Sequence, residues 1–183
     1  MTSVDPIFTH PFRVADLAQR RPSRFNISPD EAARRRIADA LGLVALDGLS
    51  FKGELMPDGR KDWILEAWLT ARVTQPCVIT LAPVSTEISE DVRRRYLMDM
   101  PEPEGDEVEM PEDDSAEALT DVIDAGAVLI EALTLALPPY PRAEGAELGA
   151  AQFAEPGTAP LQDEALRPFS GLADLMSKGK TEE

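Results

Sequence analysis

The chain has one cysteine, one histidine and few aromatic residues, 5% of 183 positions. A single cysteine closes no intramolecular disulfide, which points to a reducing compartment. Cys77 and His10 together fall short of the four ligands of a structural zinc site, so a monomer would hold no such centre. A Ser/His/Asp or Cys/His nucleophilic system would have to recruit His10 from an N-terminal stretch that reads as loose. The Walker loop, GxGxxG, GxSxG, HExxH and paired CxxC patterns are all missing. No enzyme, metal or cofactor is expected. Long apolar runs are missing as well: residues 125–137 give thirteen positions with Glu131 among them, against the roughly 20 that a bilayer helix needs. The N-terminus has neither the basic nor the apolar region of a secretory signal. The expectation is a cytoplasmic protein without a membrane partner.

Basic residues are absent between Arg95 and Arg142. Residues 1–97 carry 14 Lys+Arg against 13 Asp+Glu, which leaves 4 against 21 for residues 98–183 and a net charge of −16 overall. A chain so acidic is a poor generic binder of phosphate backbones, and DNA is not expected as a partner. Charge is screened over about 8 Å at physiological salt, however, so basic residues in the first half can act locally.

What is present reads as an α+β fold: an antiparallel meander of about four to six strands with two main helices packed on it. The first helix follows Ser28 as N-cap and Pro29 at its first position, with Gly42 as its stop; Ala33, Ile37, Ala40 and Leu41 form its apolar face. Residues 43–46 and 49–56 read as strands separated by Asp47-Gly48. The turn signal Pro57-Asp58-Gly59-Arg60 follows. Then Trp63, Leu65, Ala67, Leu69, Ala71 and Val73 alternate with period two, as on a half-buried strand. A further strand carries Val84, Thr86, Ile88, Val92 and Tyr96. Residues 98–116 hold nine acids and three prolines and read as a disordered or loosely held acidic loop. A short strand within residues 119–124 leads, through Asp124 as cap, into a second helix whose only small or polar stripe is Ala127, Glu131 and Thr134. Residues 1–141 are expected to form one domain, 142–165 a loose linker, and 166–178 a short helical motif.

Three features invite a functional reading. Arg34, Arg35 and Arg36 fan around the first helix; Arg93, Arg94 and Arg95 alternate across a strand, two one way and one the other. These six are the candidate RNA-binding residues. No aromatic platform accompanies them, which argues against single-strand stacking of the RRM type. The acidic loop could hold a basic protein. In TQPCVITLAPV, residues 74–84, Pro76 removes a backbone donor and marks a strand end, and Cys77 reads as a small buried side chain at the turn.

Cys77 with Leu81, Pro83 and Val84, the run Leu137-Pro138…Pro141-Arg142, and Pro168-Phe169…Leu172 occur in an order and spacing that resemble the YceD family of bacterial large ribosomal RNA subunit accumulation proteins, in its alphaproteobacterial form. These residues are structural landmarks of the family. The resemblance covers about residues 10–178 and implies a non-catalytic cytoplasmic factor in ribosome biogenesis. Its partners would be large-subunit rRNA or ribosomal proteins; the alternative is an acidic interaction module or chaperone for a basic ribosomal protein. The oligomeric state is left open. Many members carry C-x-x-C where this chain has Thr74 and Cys77, so a zinc or redox role does not transfer. The family supplies no catalytic residues.

Overall fold

The computed structural model describes residues 6–100, 115–147 and 149. The chain divides into two compact units, Met1–Glu144 and Gly145–Glu183, and every described element lies in the first. The core of the acidic loop, most of the expected linker, and the 166–178 motif with Pro168, Phe169 and Leu172 lie outside the described residues. Among those described, no helix is long and apolar enough to cross a membrane.

The architecture is α+β. A five-stranded sheet runs in the order β2-β3-β4-β5-β6, built from β2 (Ser23–Ile27), β3 (Ala45–Asp58), β4 (Asp62–Pro76), β5 (Pro83–Leu97) and β6 (Ala116–Ala118). Its pairings are antiparallel except the last, where β6 lies parallel to Arg95, Tyr96 and Leu97. A separate two-stranded ladder joins β1 (Pro11–Arg13) to β7 (Val122–Asp124). The helices are α1 (Glu31–Leu41) and α2 (Ala125–Ala136).

The alternation in β4 sets the core. Trp63, Leu65, Leu69 and Val73 are buried, with Ala67 and Ala71 between them, and register places Leu55, Phe51 and Leu49 of β3 beside Leu65, Leu69 and Ala71. Across β5, Ile88, Val92 and Tyr96 complete the same face. Both helices cover this face: Ile37 and Ala38 of α1 and Leu129 and Leu133 of α2 join the sheet residues in one core. Each fully buried Leu or Phe contributes about 1.5–3 kcal/mol relative to exposure. The opposite face of the sheet carries no helix among the described residues.

Four details correct the sequence expectations. The cap of α1 is Asp30, whose carboxylate accepts the Ala33 N–H at 2.7 Å; Ser28 and Pro29 still belong to the extended approach. Ala38 replaces Ala40 on the buried face. Asp47-Gly48 is a bulge within one continuous strand, the register slipping between Leu46 and Gly48. The slip brings Leu46 and Leu49, three apart, to the same inner face, and the long partner β4 outweighs the turn preference of an Asp-Gly pair. The N-terminal stretch is ordered, since β1 sits on β7 and His10 N–H donates to the Asp124 carboxylate at 2.7 Å while Ala125 N–H donates to His10 O at 3.1 Å.

Gly42 stops α1 in the left-handed region, φ 65°. Asp124 caps α2 by accepting from Gly126 and Ala127 N–H. Ala127, Glu131 and Thr134 are exposed as the pattern requires, and Leu135 joins them at 74%.

Candidate functional site

The two arginine triplets do different work. Arg34 turns back on the fold: its guanidinium donates to Pro29 O at 2.8 Å and to Leu46 O at 3.2 Å, fastening the first turn of α1 to β3. Arg35 pairs with Glu31 one turn earlier. Arg36 is exposed and has no ion-pair partner among the described residues. In β5, Arg93 faces Glu66 at 3.5 Å and Arg95 faces Asp58 at 3.9 Å, both on the open face of the sheet. Arg94 points the other way, between Glu117 of β6 at 3.4 Å and Glu131 of α2, its side chain only 18% exposed. The sheet therefore lies between α1 on one side and Arg93 and Arg95 on the other, and α1 and β5 make no continuous basic face.

An aromatic does accompany the arginines, contrary to expectation. Trp68 is 45% exposed on the open face, flanked in register by Lys52 of β3 and Asp91 of β5, with Arg93 two pairs along on the same face. Its signal in the sequence is phase: in β4 the odd positions are apolar, and Trp68 falls among the even ones with Glu66, Thr70 and Arg72.

The landmark residues meet at one end of the sheet. Pro76 and Pro83 face each other at the base of the β4–β5 connection, where neither has an N–H to give. Within that connection Cys77 N–H donates to Ala82 O at 2.7 Å, Leu81 N–H donates to Cys77 O at 2.9 Å, and Leu81 holds a φ of 62°. The segment after α2 crosses this turn: Val78 N–H donates to Pro141 O at 2.9 Å, and Gln75 Nε2 donates to Pro138 O at 3.2 Å. Leu137 ends α2 against the core, Pro141 is buried, Val84 is half-buried opposite Gln75, and Arg142 is exposed.

A family model described as large ribosomal RNA subunit accumulation protein YceD matches residues 65–176. The chain belongs to the YceD family. No curated protein and no solved structure matches it. The YceD match begins inside β4 and takes in β5, the Cys77 turn, α2 and the crossing segment, so it includes the hydrogen bonds that join them; Arg34, Arg35 and Arg36 lie before it.

At the centre of the YceD landmarks, Cys77 does more than fill space. It is buried, and its Sγ accepts N–H groups from Ile79 at 3.4 Å, Thr80 at 3.5 Å and Ala143 at 3.3 Å. The Thr80 hydroxyl first, then the Ala143 and Thr80 N–H groups, outweigh the opposing effect of burial and pull the thiol down to about 6 from its ordinary 9.0. Between those values the unfolded chain binds a proton that the folded chain has released, so stability rises with pH across the window and the gain is lost as pH falls through 6. Urea midpoints at pH 6 and pH 9 are expected to rise more in the native protein than in Cys77→Ala. Equal rises would show that the thiolate is not held.

Proposed function

We propose that this YceD-family protein is a non-catalytic, cytoplasmic ribosome-biogenesis factor that supports accumulation of large-subunit (23S) rRNA by binding rRNA or a pre-ribosomal particle. The family match over residues 65–176 carries this conclusion. RNA binding runs through the exposed side chains of Arg35 and Arg36 on α1 and of Lys52, Trp68 and Arg93 on the open sheet face, with Arg95, which already pairs with Asp58, beside them. Exposed ion pairs such as Arg93–Glu66 contribute about 0–1 kcal/mol and exchange readily for phosphate. Trp68 offers a stacking surface beside them. Arg34 and Arg94 serve the fold.

The experiment is a pull-down of the tagged chain from lysate. Large-subunit rRNA is expected to enrich. Arg36→Glu with Arg93→Glu is expected to weaken binding and to lower the log–log salt slope by roughly one for each arginine–phosphate pair removed. Absence of both large-subunit rRNA and its proteins from the native pull-down would end the proposal.

A second reading, an acidic module that holds a basic ribosomal protein, draws on a specific observation. Arg93, Arg94 and Arg95 are each met by an acid of the same chain, in a protein of net charge −16. Such pairing lowers the local positive potential that a polyanion would seek.

A further inference from the structure

β5 is a fifteen-residue strand, and among the described residues a strand covers its outer side at the last three positions alone. Arg95 N–H donates to Ser115 O at 2.9 Å and Leu97 O accepts from Leu119 N–H at 2.8 Å, so both residues aim their peptide groups away from β4 and toward the outer edge. Peptide groups along a strand alternate in direction, and the β4–β5 register is unbroken from Trp63↔Tyr96 to Pro76↔Pro83. The N–H and C=O groups of Ser85, Glu87, Ser89 and Asp91 therefore point outward too. Among the described residues no strand pairs with them. Arg93 O is met by the Arg94 guanidinium at 3.2 Å, which closes the open stretch at that end.

An uncovered strand edge is a template for another extended chain. β6 shows that this edge accepts a strand, since it already does so beside Arg95, Tyr96 and Leu97. The charge along the open stretch selects the occupant. Glu87, which pairs with Arg72 of β4 at 2.8 Å, and Asp91 lie beside it on the open face and Glu90 on the other, all exposed, while residues 84–92 contain no Lys or Arg. An acidic segment is repelled. That disfavours residues 101–114 of the same chain, which carry eight acids and no base.

We infer that the outer edge of β5, from Ser85 to Asp91, binds an extended basic segment of a protein partner by strand addition. Main-chain hydrogen bonds to the outward peptide groups supply affinity, and Glu90 and Asp91, joined by Glu87 when it exchanges its exposed pair with Arg72, select Lys or Arg on alternate sides of the incoming strand. The inference rests on the second reading above, a basic protein partner, and gives it a site and a mode of binding.

The test uses the full chain and a fluorescent peptide of alternating Lys and Val, with an alternating Glu and Val peptide and a backbone N-methylated Lys/Val peptide as controls. The basic peptide is expected to bind and to slow hydrogen exchange of the Ser85, Glu87, Ser89 and Asp91 amides, which exchange quickly in the free protein. Ser89→Pro removes one outward N–H and leaves the β4 ladder intact, and it is expected to weaken binding about tenfold. Glu87→Lys with Asp91→Lys should reverse the preference between basic and acidic peptides. Binding of the basic peptide that ignores N-methylation and leaves the four amides unprotected overturns the edge site while the chaperone reading survives. Failure of any basic peptide to bind overturns both. Slow exchange of the four amides in the free protein would mean that the chain covers its own edge, and protection by a single-stranded RNA in place of the peptide would reassign the site; either result also overturns the inference.

Discussion

Gly126→Val is expected to lower stability by about 3 kcal/mol and to release the N-terminal segment from α2, because overpacking against rigid neighbours costs about 1–3 kcal/mol and here the neighbours are backbone. A Cβ at Gly126 would lie 2.5 Å from His10 N, 2.6 Å from Thr9 C and 2.8 Å from Thr9 Cα. These atoms cannot withdraw by a rotamer change. They belong to the stretch whose His10 N–H reaches the Asp124 carboxylate and whose His10 O receives Ala125 N–H, so moving it also unpairs the first turn of α2. Urea unfolding measures the loss, and proteolysis near residues 8–13 reports the release. Gly48→Ala serves as the control, since a Cβ there meets nothing within 4 Å. A Gly126→Val midpoint equal to that of the native protein would refute the clamp.

This clamp was illegible in the sequence for a physical reason. HPFRVADL has no sustained alternation, and β1 is three residues long; it exists because β7 and the capped end of α2 are there to receive it. The same holds for β2, where only Phe25 and Ile27 are buried. Elements with their own periodicity were legible: the odd positions of β4 named its core face, Asp124 named the start of α2, and Gly42 named the end of α1. The bulge at Asp47 was not, because its cause is the pairing of Leu46 and Leu49 with β4, a strand that the local sequence does not contain. In the candidate site, phase within β5 correctly separated Arg94 from Arg93 and Arg95. Which of them had partners could not be read, as Glu66, Glu117 and Glu131 come from β4, β6 and α2. Trp68 was readable from phase alone.

Arg94 is therefore the arginine whose reversal should act on the fold rather than on a partner. Its guanidinium joins β5 to β6 through Glu117 and to α2 through Glu131, with an 18% exposed side chain against partners that are 48% exposed. Below it, burial chiefly and then the charge of Glu117 hold the Tyr96 hydroxyl well above its ordinary value, while Arg94 acts in the opposite direction. Arg94→Glu gathers three carboxylates around that buried ring. Breaking a fully buried pair costs about 3–5 kcal/mol, and the partial exposure of Glu117 and Glu131 brings the expected loss to about 2–3 kcal/mol. Arg93→Glu, in an exposed pair, should cost within about 1 kcal/mol. If the family role runs through RNA, Arg93→Glu lowers rRNA association in a protein of native stability, whereas Arg94→Glu lowers stability first and loses rRNA only in proportion to the unfolded fraction. Arg94→Met separates packing from charge: it keeps the stem over Tyr96, leaves the two glutamates unopposed but hydrated, and should fall between native and Arg94→Glu in urea midpoint. Equal midpoints for Arg93→Glu and Arg94→Glu would show that the two side chains are energetically alike and that Arg94 is as available to a ligand as its neighbours.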